Sequence, residues 1–336
     1  MDSGPAGAWH TQPVTMTSDA VGSGDVIAAR KLLRDVIWET PVLHSRVLSE
    51  TVGGPVFLKC ENLQRTGSFK VRGAYVRIAR LSDAERARGV VAASAGNHAQ
   101  GVAFAAGLLG CAATVVMPEG AALPKVAATR GYGAQVVLTG TRVEDALSEA
   151  LAYAERTGAV FIHPYDHVDV VAGQGTLGFE IVEQCPEVRT VVVPVGGGGL
   201  AAGVSTAVKA LLPDASVIGV EPAGADDTRQ SLRAGHRVTL AQPATIADGL
   251  LAQQPGELTF AVNSRLLSDV VTVTEEAIVE AMRFCFSRMK IVIEPSGAVA
   301  LAALRSGVVP AAGHRTVAVI SGGNIAPEAF AALMTT

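Results

Sequence analysis

A chain of 336 residues, 49% hydrophobic and only 17% charged, carries more apolar surface than one small core buries and calls for one large domain or two moderate ones. Its net charge of −4 gives no electrostatic reason to expect a nucleic-acid partner. Four widely separated cysteines, Cys60, Cys111, Cys185 and Cys285, suit neither a disulfide framework nor a zinc site and read as buried residues of a reducing, cytoplasmic protein.

Residues 1–24 are polar and rich in small side chains, without the basic start and apolar core of a secretion signal, and read as a flexible arm. A helix is expected from Ser23-Gly24-Asp25, with Val26, Ile27, Leu32, Leu33, Val36 and Ile37 on one face and Thr40-Pro41 ending it. A short strand follows at 55–60. After the turn Thr66-Gly67-Ser68, the apolar period of Phe69, Val71, Ala74, Tyr75 and Ile78 marks another helix. Lys70 falls at its start, where the positive end of the helix dipole disfavours an ammonium and suits an amine that must lose a proton. Taken alone, the stretch reads more readily as an exposed first-turn lysine.

Between Arg88 and Glu119 no Asp, Glu, Lys or Arg occurs, which imitates a membrane span. Asn97, His98, Gln100 and four glycines divide the segment, so a strand at 89–93, a helix at 99–109 and a strand at 113–117 account for it better. A helix at 125–132, a strand at 135–138, a helix at 143–156 and a strand at 160–162 come next. The rhythm continues with helices at 177–185 and 200–212 and strands at 190–195, 216–220 and 270–273. Helices at 275–289 and 296–304 and a strand at 316–320 complete it. Continuous apolar runs of this kind fit parallel strands covered on both faces, and their number exceeds one comfortable sheet. The expectation is an α/β protein with two α/β domains, mostly parallel sheets and a cleft between them.

Three glycine-rich junctions follow strands. Gly196-Gly197-Gly198-Gly199 leaves a row of unobstructed N–H groups at a helix start, a phosphate cradle by geometry and dipole. The same loop also fits a loose dinucleotide fingerprint, Gly197-x-Gly199-x-x-Ala202, with Glu221 at the end of the next strand as a ribose-binding acid, which would indicate an NAD-dependent oxidoreductase. The loop from Ser94 to Gly101 offers N–H groups, a hydroxyl and the Asn97 amide to an anion such as a carboxylate; His98 alone reads as structural. Ser321-Gly322-Gly323-Asn324 closes the last strand and alone reads as a turn or cap.

Together these motifs resemble the threonine/serine dehydratase group of fold-type-II pyridoxal-phosphate enzymes, relatives of serine racemase with a tryptophan synthase β-like fold. The residues that carry the resemblance are Gly67–Ala74, Ser94–Gly101, Pro194–Leu200 and Ser321–Asn324, with Glu294-Pro295-Ser296-Gly297-Ala298 and Ala247-Asp248-Gly249 also fitting. The match runs from about Ile27 to Asn324. It implies a large cofactor-binding domain of residues 25–91 and 170–336 and a small domain of residues 92–169.

The resemblance implies that Lys70 forms the Schiff base with pyridoxal 5'-phosphate and then takes the Cα proton, with Phe69 packed beside the ring. Asn97 would bond the ring's phenolic oxygen, Gly196, Gly197, Gly198, Gly199 and Leu200 would hold the phosphate, and Ser321 would face the ring nitrogen. Ser94, with the N–H groups of Asn97 and His98, would bind the substrate carboxylate. A hydroxyl partner for the ring nitrogen makes a weaker electron sink than a charged one, which favours expelling a β-hydroxyl. The racemases of the family carry serine at position 95, where this chain has Ala95, so racemisation should be minor. Glu221, the Ala225 carbonyl and Asp227 resemble the family's Mg²⁺ or Ca²⁺ loop; the alternative is a helix cap by Asp226 or Asp227. The implied activity is β-elimination of L-threonine or L-serine to a 2-oxo acid and ammonia by a homodimer or homotetramer. Dehydration of 3-hydroxyaspartate and serine racemase-like activity are the alternatives, and the resemblance removes the dinucleotide reading's claim on Glu221.

Overall fold

The computed structural model describes residues 21–311 and 313–335, so most of the expected N-terminal arm lies outside the described residues. Among these, one six-stranded sheet has the order β1 (Val42–His44), β2 (Val56–Cys60), β10 (Arg315–Ile320), β7 (Val188–Pro194), β8 (Ser216–Pro222), β9 (Asp269–Val273). A four-stranded sheet has the order β5 (Gln135–Leu138), β4 (Ala113–Met117), β3 (Val90–Ala93), β6 (Val160–Phe161). Every pairing is parallel except β1 with β2. The central strands β7 and β10 are buried along almost their whole length, which is why their sequence is a continuous apolar run.

Val90 and Val91 pair with Ala113 and Thr114, which places the whole of β3 in the smaller sheet. Helix α8 (Val168–Gln184) begins nine residues before the helix expected at 177. Helix α1 (Ser23–Leu33) starts inside the expected arm and stops short of Val36 and Ile37. It buries Val26, Ala29 and Leu33, while Ile27 and Leu32 face solvent. The expected 275–289 helix is α12 (Glu275–Phe284) followed by a π-helical turn, Cys285–Met289, that ends at Lys290 with φ +60°.

Helix α8 organises the larger unit. It packs between α3 (Lys70–Ala79) and α9 (Gly199–Leu211), and all residues from Asp169 to Ile181 are buried. Three helices this close leave no room for side chains at the crossings. A Cβ on Gly173 would lie 2.6 Å from the Cα of Gly73, and one on Gly175 would lie 2.8 Å from the carbonyl oxygen of Gly203. Each glycine costs roughly 1 kcal/mol of helix propensity, which the close packing offsets.

Beneath α3 lies a buried ionic cluster. The Arg72 guanidinium donates to Glu61 through Nε and Nη2, both at 2.8 Å, and to Glu180 through Nη1 at 2.6 Å. Lys59 Nζ donates to Glu180 at 2.6 Å and to the Thr40 carbonyl at 2.7 Å. Two cations balance two carboxylates, and hydrogen bonds occupy the donors, the condition under which buried charge is tolerated. The four cysteines are free and buried, and burial pushes the Cys60 and Cys285 thiols up to about 12. Replacing Arg72 with Met strips Glu61 of its cation. We expect destabilisation of about 3–5 kcal/mol, read as a lowered urea midpoint, and a midpoint equal to wild type would refute the account.

Candidate active site

The loops after β2, β3, β7 and β10 converge. The turn into α3 is knitted to the end of β10: Ser68 bridges Gly322, the Phe69 N–H donates to the Ser321 carbonyl at 3.2 Å, and the Gly323 N–H donates to the Gly67 carbonyl at 3.0 Å. This brings Lys70 and Ser321, distant in sequence, to one place. The turn carries strain, since Thr66 sits at φ +63° next to Gly67 at φ +71°, and a β-branched residue rarely adopts that conformation. Asn324 Nδ2 holds the Thr66 carbonyl at 2.7 Å and reaches Asn97 Oδ1 at 2.8 Å.

Lys70 is the first residue of α3 and is half-buried. Its Nζ donates to the Pro164 carbonyl at 2.9 Å and lies 5.2 Å from the Phe69 ring centroid. Burial pushes the amine down to about 8, against the opposing pull of Glu294. Its hydrogen-bond partner is a neutral carbonyl, so the amine can lose its charge without stranding a carboxylate.

The glycine loop joins β7 to α9, whose first N–H groups have no intrahelical acceptor. Gly198 has φ +89°, and a Cβ there would lie 2.7 Å from Asn263 Nδ2. Side chains at Gly197 and Gly199 would run into Tyr165, and one at Gly196 into the backbone of Leu250. The loop must therefore be glycine at every position, and Leu200 behind it is buried.

Asn97 opens α5 (Asn97–Leu108). Its Nδ2 donates to Glu294 Oε1 at 2.6 Å, so one amide hydrogen is left for a further acceptor. The N–H groups of Asn97 and His98 belong to the first turn of α5, while the Ser94 hydroxyl accepts from the Gly96 N–H at 3.2 Å and remains a free donor. The His98 ring is committed elsewhere: Nε2 lies 2.8 Å from the Ile162 carbonyl, and burial, then the Lys70 charge, push it down to about 3. Only its backbone is available to a ligand. Ser321 Oγ donates to the Ser296 carbonyl at a long 3.4 Å.

Glu221 and Asp227 are both buried beside Ala225. Glu221 caps α10 (Asp227–Ala234), accepting from the N–H groups of Thr228 and Arg229, each at 2.9 Å. The cap is thus Glu221, where Asp226 or Asp227 was the expected alternative. A carboxylate used this way is not presented to the glycine loop, which removes the ribose-binding role. Both Asp227 oxygens are buried with no partner among the described residues. Burial, then Asp227, push Glu221 up to about 8; burial pushes Asp227 up to about 7. No group of three or more His, Cys, Asp or Glu suited to a metal occurs among the described residues.

Sequence reasoning missed several partners. Glu294, hydrogen-bonded to Asn97 and within reach of the Lys70 charge, is pushed up to about 8 by burial; in sequence it appeared only in the motif that opens α13 (Pro295–Arg305), with no role. Pro164 and Tyr165 belong to a loop with no local signal beyond a proline. Asn324 was visible within the Ser321–Asn324 motif, but its bonds to Thr66 and Asn97 were not.

Residues 33–322 match the family described as pyridoxal-phosphate dependent enzyme. The L-threonine ammonia-lyase of Thermotoga maritima is 49% identical over 301 residues, covering 90% of this chain and 75% of its own length. The L-threo-3-hydroxyaspartate ammonia-lyase of a Pseudomonas species is 46% identical over 92% of this chain and 97% of its own. The structure of maize serine racemase superposes with a TM-score of 0.90 at 38% identity, covering 94% of this chain and 97% of that one. The chain belongs to the pyridoxal-phosphate dependent enzyme family, with the type-II fold. Its residues fit the cofactor: an amine held near neutrality, a cradle that any Cβ would fill, and a hydroxyl at the end of β10.

Glu221, Asp227 and Glu294 retain protons when folded that they release when unfolded. Between their ordinary range near 4.5 and about 8 the folded state binds more protons, so stability falls as pH rises through that window. Asp227→Asn removes one carboxyl and relieves Glu221. In chelator-treated protein its thermal midpoint should decline less steeply over this range than that of wild type, and an equal slope would contradict the assignment.

Proposed function

We propose that this chain is an ammonia-lyase that converts a small β-hydroxy amino acid, L-threonine or L-serine, to a 2-oxo acid and ammonia. The observation that carries the reading is Lys70, an amine pushed to about 8 and held at 2.9 Å by the neutral carbonyl of Pro164, whose neighbour Tyr165 lies against the glycine cradle. The names of the relatives support the reaction class.

Bound pyridoxal phosphate supplies a carbonyl for exchange with amines and a ring that accepts electron density from Cα. Lys70 would hold the cofactor through its aldehyde, and its free amine would move the Cα proton. Phe69 would pack against the ring, Gly196 to Leu200 would bind the phosphate, and Ser321 would be the neutral partner of the ring nitrogen. Asn97 would orient the ring with its remaining amide hydrogen. Ser94 and the N–H groups of Asn97 and His98 bind the substrate carboxylate. Ala95 has no proton to give, so one face of the substrate is served by Lys70 alone and elimination outruns racemisation.

We read the two sheets as two domains, divided before β3 and after β6, with the cofactor between them. Glu221, the Ala225 carbonyl and Asp227 form the proposed Mg²⁺ or Ca²⁺ site; the unpartnered Asp227 oxygens support it, since a hard cation would repay their burial. A homodimeric or homotetrameric cytoplasmic enzyme completes the reading. Dehydration of 3-hydroxyaspartate is the second reading, favoured by the 46% identity to the Pseudomonas lyase.

The purified protein should be yellow and lose that absorbance on borohydride reduction; a colourless protein that takes up no pyridoxal phosphate would sink the proposal. Lys70→Ala should keep the circular dichroism spectrum and lose at least about 10³-fold in ammonia release from L-threonine and L-serine. Wild type should release ammonia far faster than it forms D-serine, and comparable rates would overturn the role given to Ala95. Ammonia release from 3-hydroxyaspartate in the same assay decides between the two substrates.

A further inference from the structure

A run of four glycines has no side chains with which to fix itself, and its conformational freedom would scatter the very N–H groups a phosphate needs aligned. The structure supplies the missing restraint from α11 (Glu257–Leu266). Thr259 Oγ1 donates to the Gly197 carbonyl at 2.7 Å, and Asn263 Nδ2 donates to the Gly198 carbonyl at 3.1 Å. Both side chains are fully buried and fill the space where Gly198 lacks one.

The geometry of the peptide unit turns these two bonds into an aiming device. In a planar trans peptide the carbonyl and the following N–H point in opposite directions. Tying the Gly197 and Gly198 carbonyls to α11 therefore directs the Gly198 and Gly199 N–H groups away from α11, toward the mouth of the cradle. Asn263 holds its bond although its Oδ1 is buried without a partner among the described residues, a cost that packing alone does not require.

Helix α11 is itself fixed at its start. Asp166 accepts from the N–H groups of Glu257 at 2.9 Å and Thr259 at 3.1 Å, a favourable carboxylate at a helix N-terminus. Asp166 ends the strap His163-Pro164-Tyr165-Asp166, whose Pro164 carbonyl holds Lys70 and whose Tyr165 lies against Gly197 and Gly199. His163 is anchored within it, its Nδ1 accepting the Asp166 N–H at 2.8 Å.

We propose that Thr259 and Asn263 are positioning residues for phosphate recognition: they act through the Gly197 and Gly198 carbonyls to set the donors that grip the cofactor phosphate, with Asp166 fixing the helix that carries them. The inference rests on the cofactor placement proposed above and names the support of that subsite.

The test compares two probes, pyridoxal 5'-phosphate and pyridoxal, which share the ring and aldehyde and differ only in the phosphate. Dissociation constants are measured by absorbance titration of protein resolved of cofactor, wild type against Thr259→Val, Thr259→Ser and Asn263→Leu. Thr259→Val and Asn263→Leu should each weaken pyridoxal phosphate about tenfold, the scale of one lost hydrogen bond, and leave pyridoxal unchanged. Thr259→Ser, which keeps the hydroxyl, should retain the wild-type preference. Equal weakening of both probes would indicate a general structural role and overturn the proposal, as would an unchanged preference in Thr259→Val and Asn263→Leu. The two substitutions are made separately, so misfolding of one variant leaves the other decisive. A wild-type protein with no preference for the phosphorylated probe would instead overturn the cofactor placement itself.

Discussion

Backbone-to-backbone packing of α3, α8 and α9 is the constraint on which the site depends. Gly73 lies one turn beyond Lys70, and Gly203 lies one turn beyond Gly199; each meets a glycine of α8, Gly173 or Gly175. The reactive amine and the phosphate cradle thus hang from two helices held at contact distance by a third, with the Gln174 side chain accepting the Gly73 N–H at one crossing. A single methyl group at either crossing would have to separate the helices, and with them the two halves of the site. Dispersion across these crossings also offsets the poor helix propensity of the glycines that permit it.

The same glycines explain where sequence reasoning fell short. The strand at 113–117 was legible to the residue because burial on both faces leaves an unbroken apolar run. The first nine residues of α8 were not, since Gly173 and Gly175 read as breakers until tertiary packing overrides propensity. Helix α4 (Asp83–Arg88) went unread although Ser82 and Glu85 form a capping box, because none of its residues is buried and it has no apolar period. Helix α11 was missed for the opposite reason: its inward stripe, Leu258, Thr259, Val262 and Asn263, is half polar. The residues proposed for chemistry sit in contiguous motifs and announce themselves. Those that hold them, among them Glu294, Tyr165 and Asn324, make contacts across hundreds of residues or in loops, where a sequence gives no spacing to read.

Charge is handled in two ways within one molecule. The cluster of Lys59, Glu61, Arg72 and Glu180 is balanced and fully hydrogen-bonded, and it lies beneath α3 away from the cradle. Around the cleft, the buried Glu294 and the half-buried Lys70 form no direct ion pair with each other, and both are displaced toward neutrality by burial. Structural charge is thereby locked, while the groups near the amine stay close to their switching point. Histidine is kept out of that inventory: His98 and His163 are both pushed down to about 3 by burial and then by Lys70, so they stay neutral under working conditions.

The buried thiols carry a different consequence. Cys111 lies in the hydrophobic cluster of the four-stranded sheet, Cys60 and Cys285 in one cluster of the six-stranded sheet, and Cys185 in another. Each is sealed from reagents while its cluster is closed. The native chain therefore carries an internal set of clocks spread over three packing units, and the order in which they become alkylated reports which of these breathes first without a single substitution.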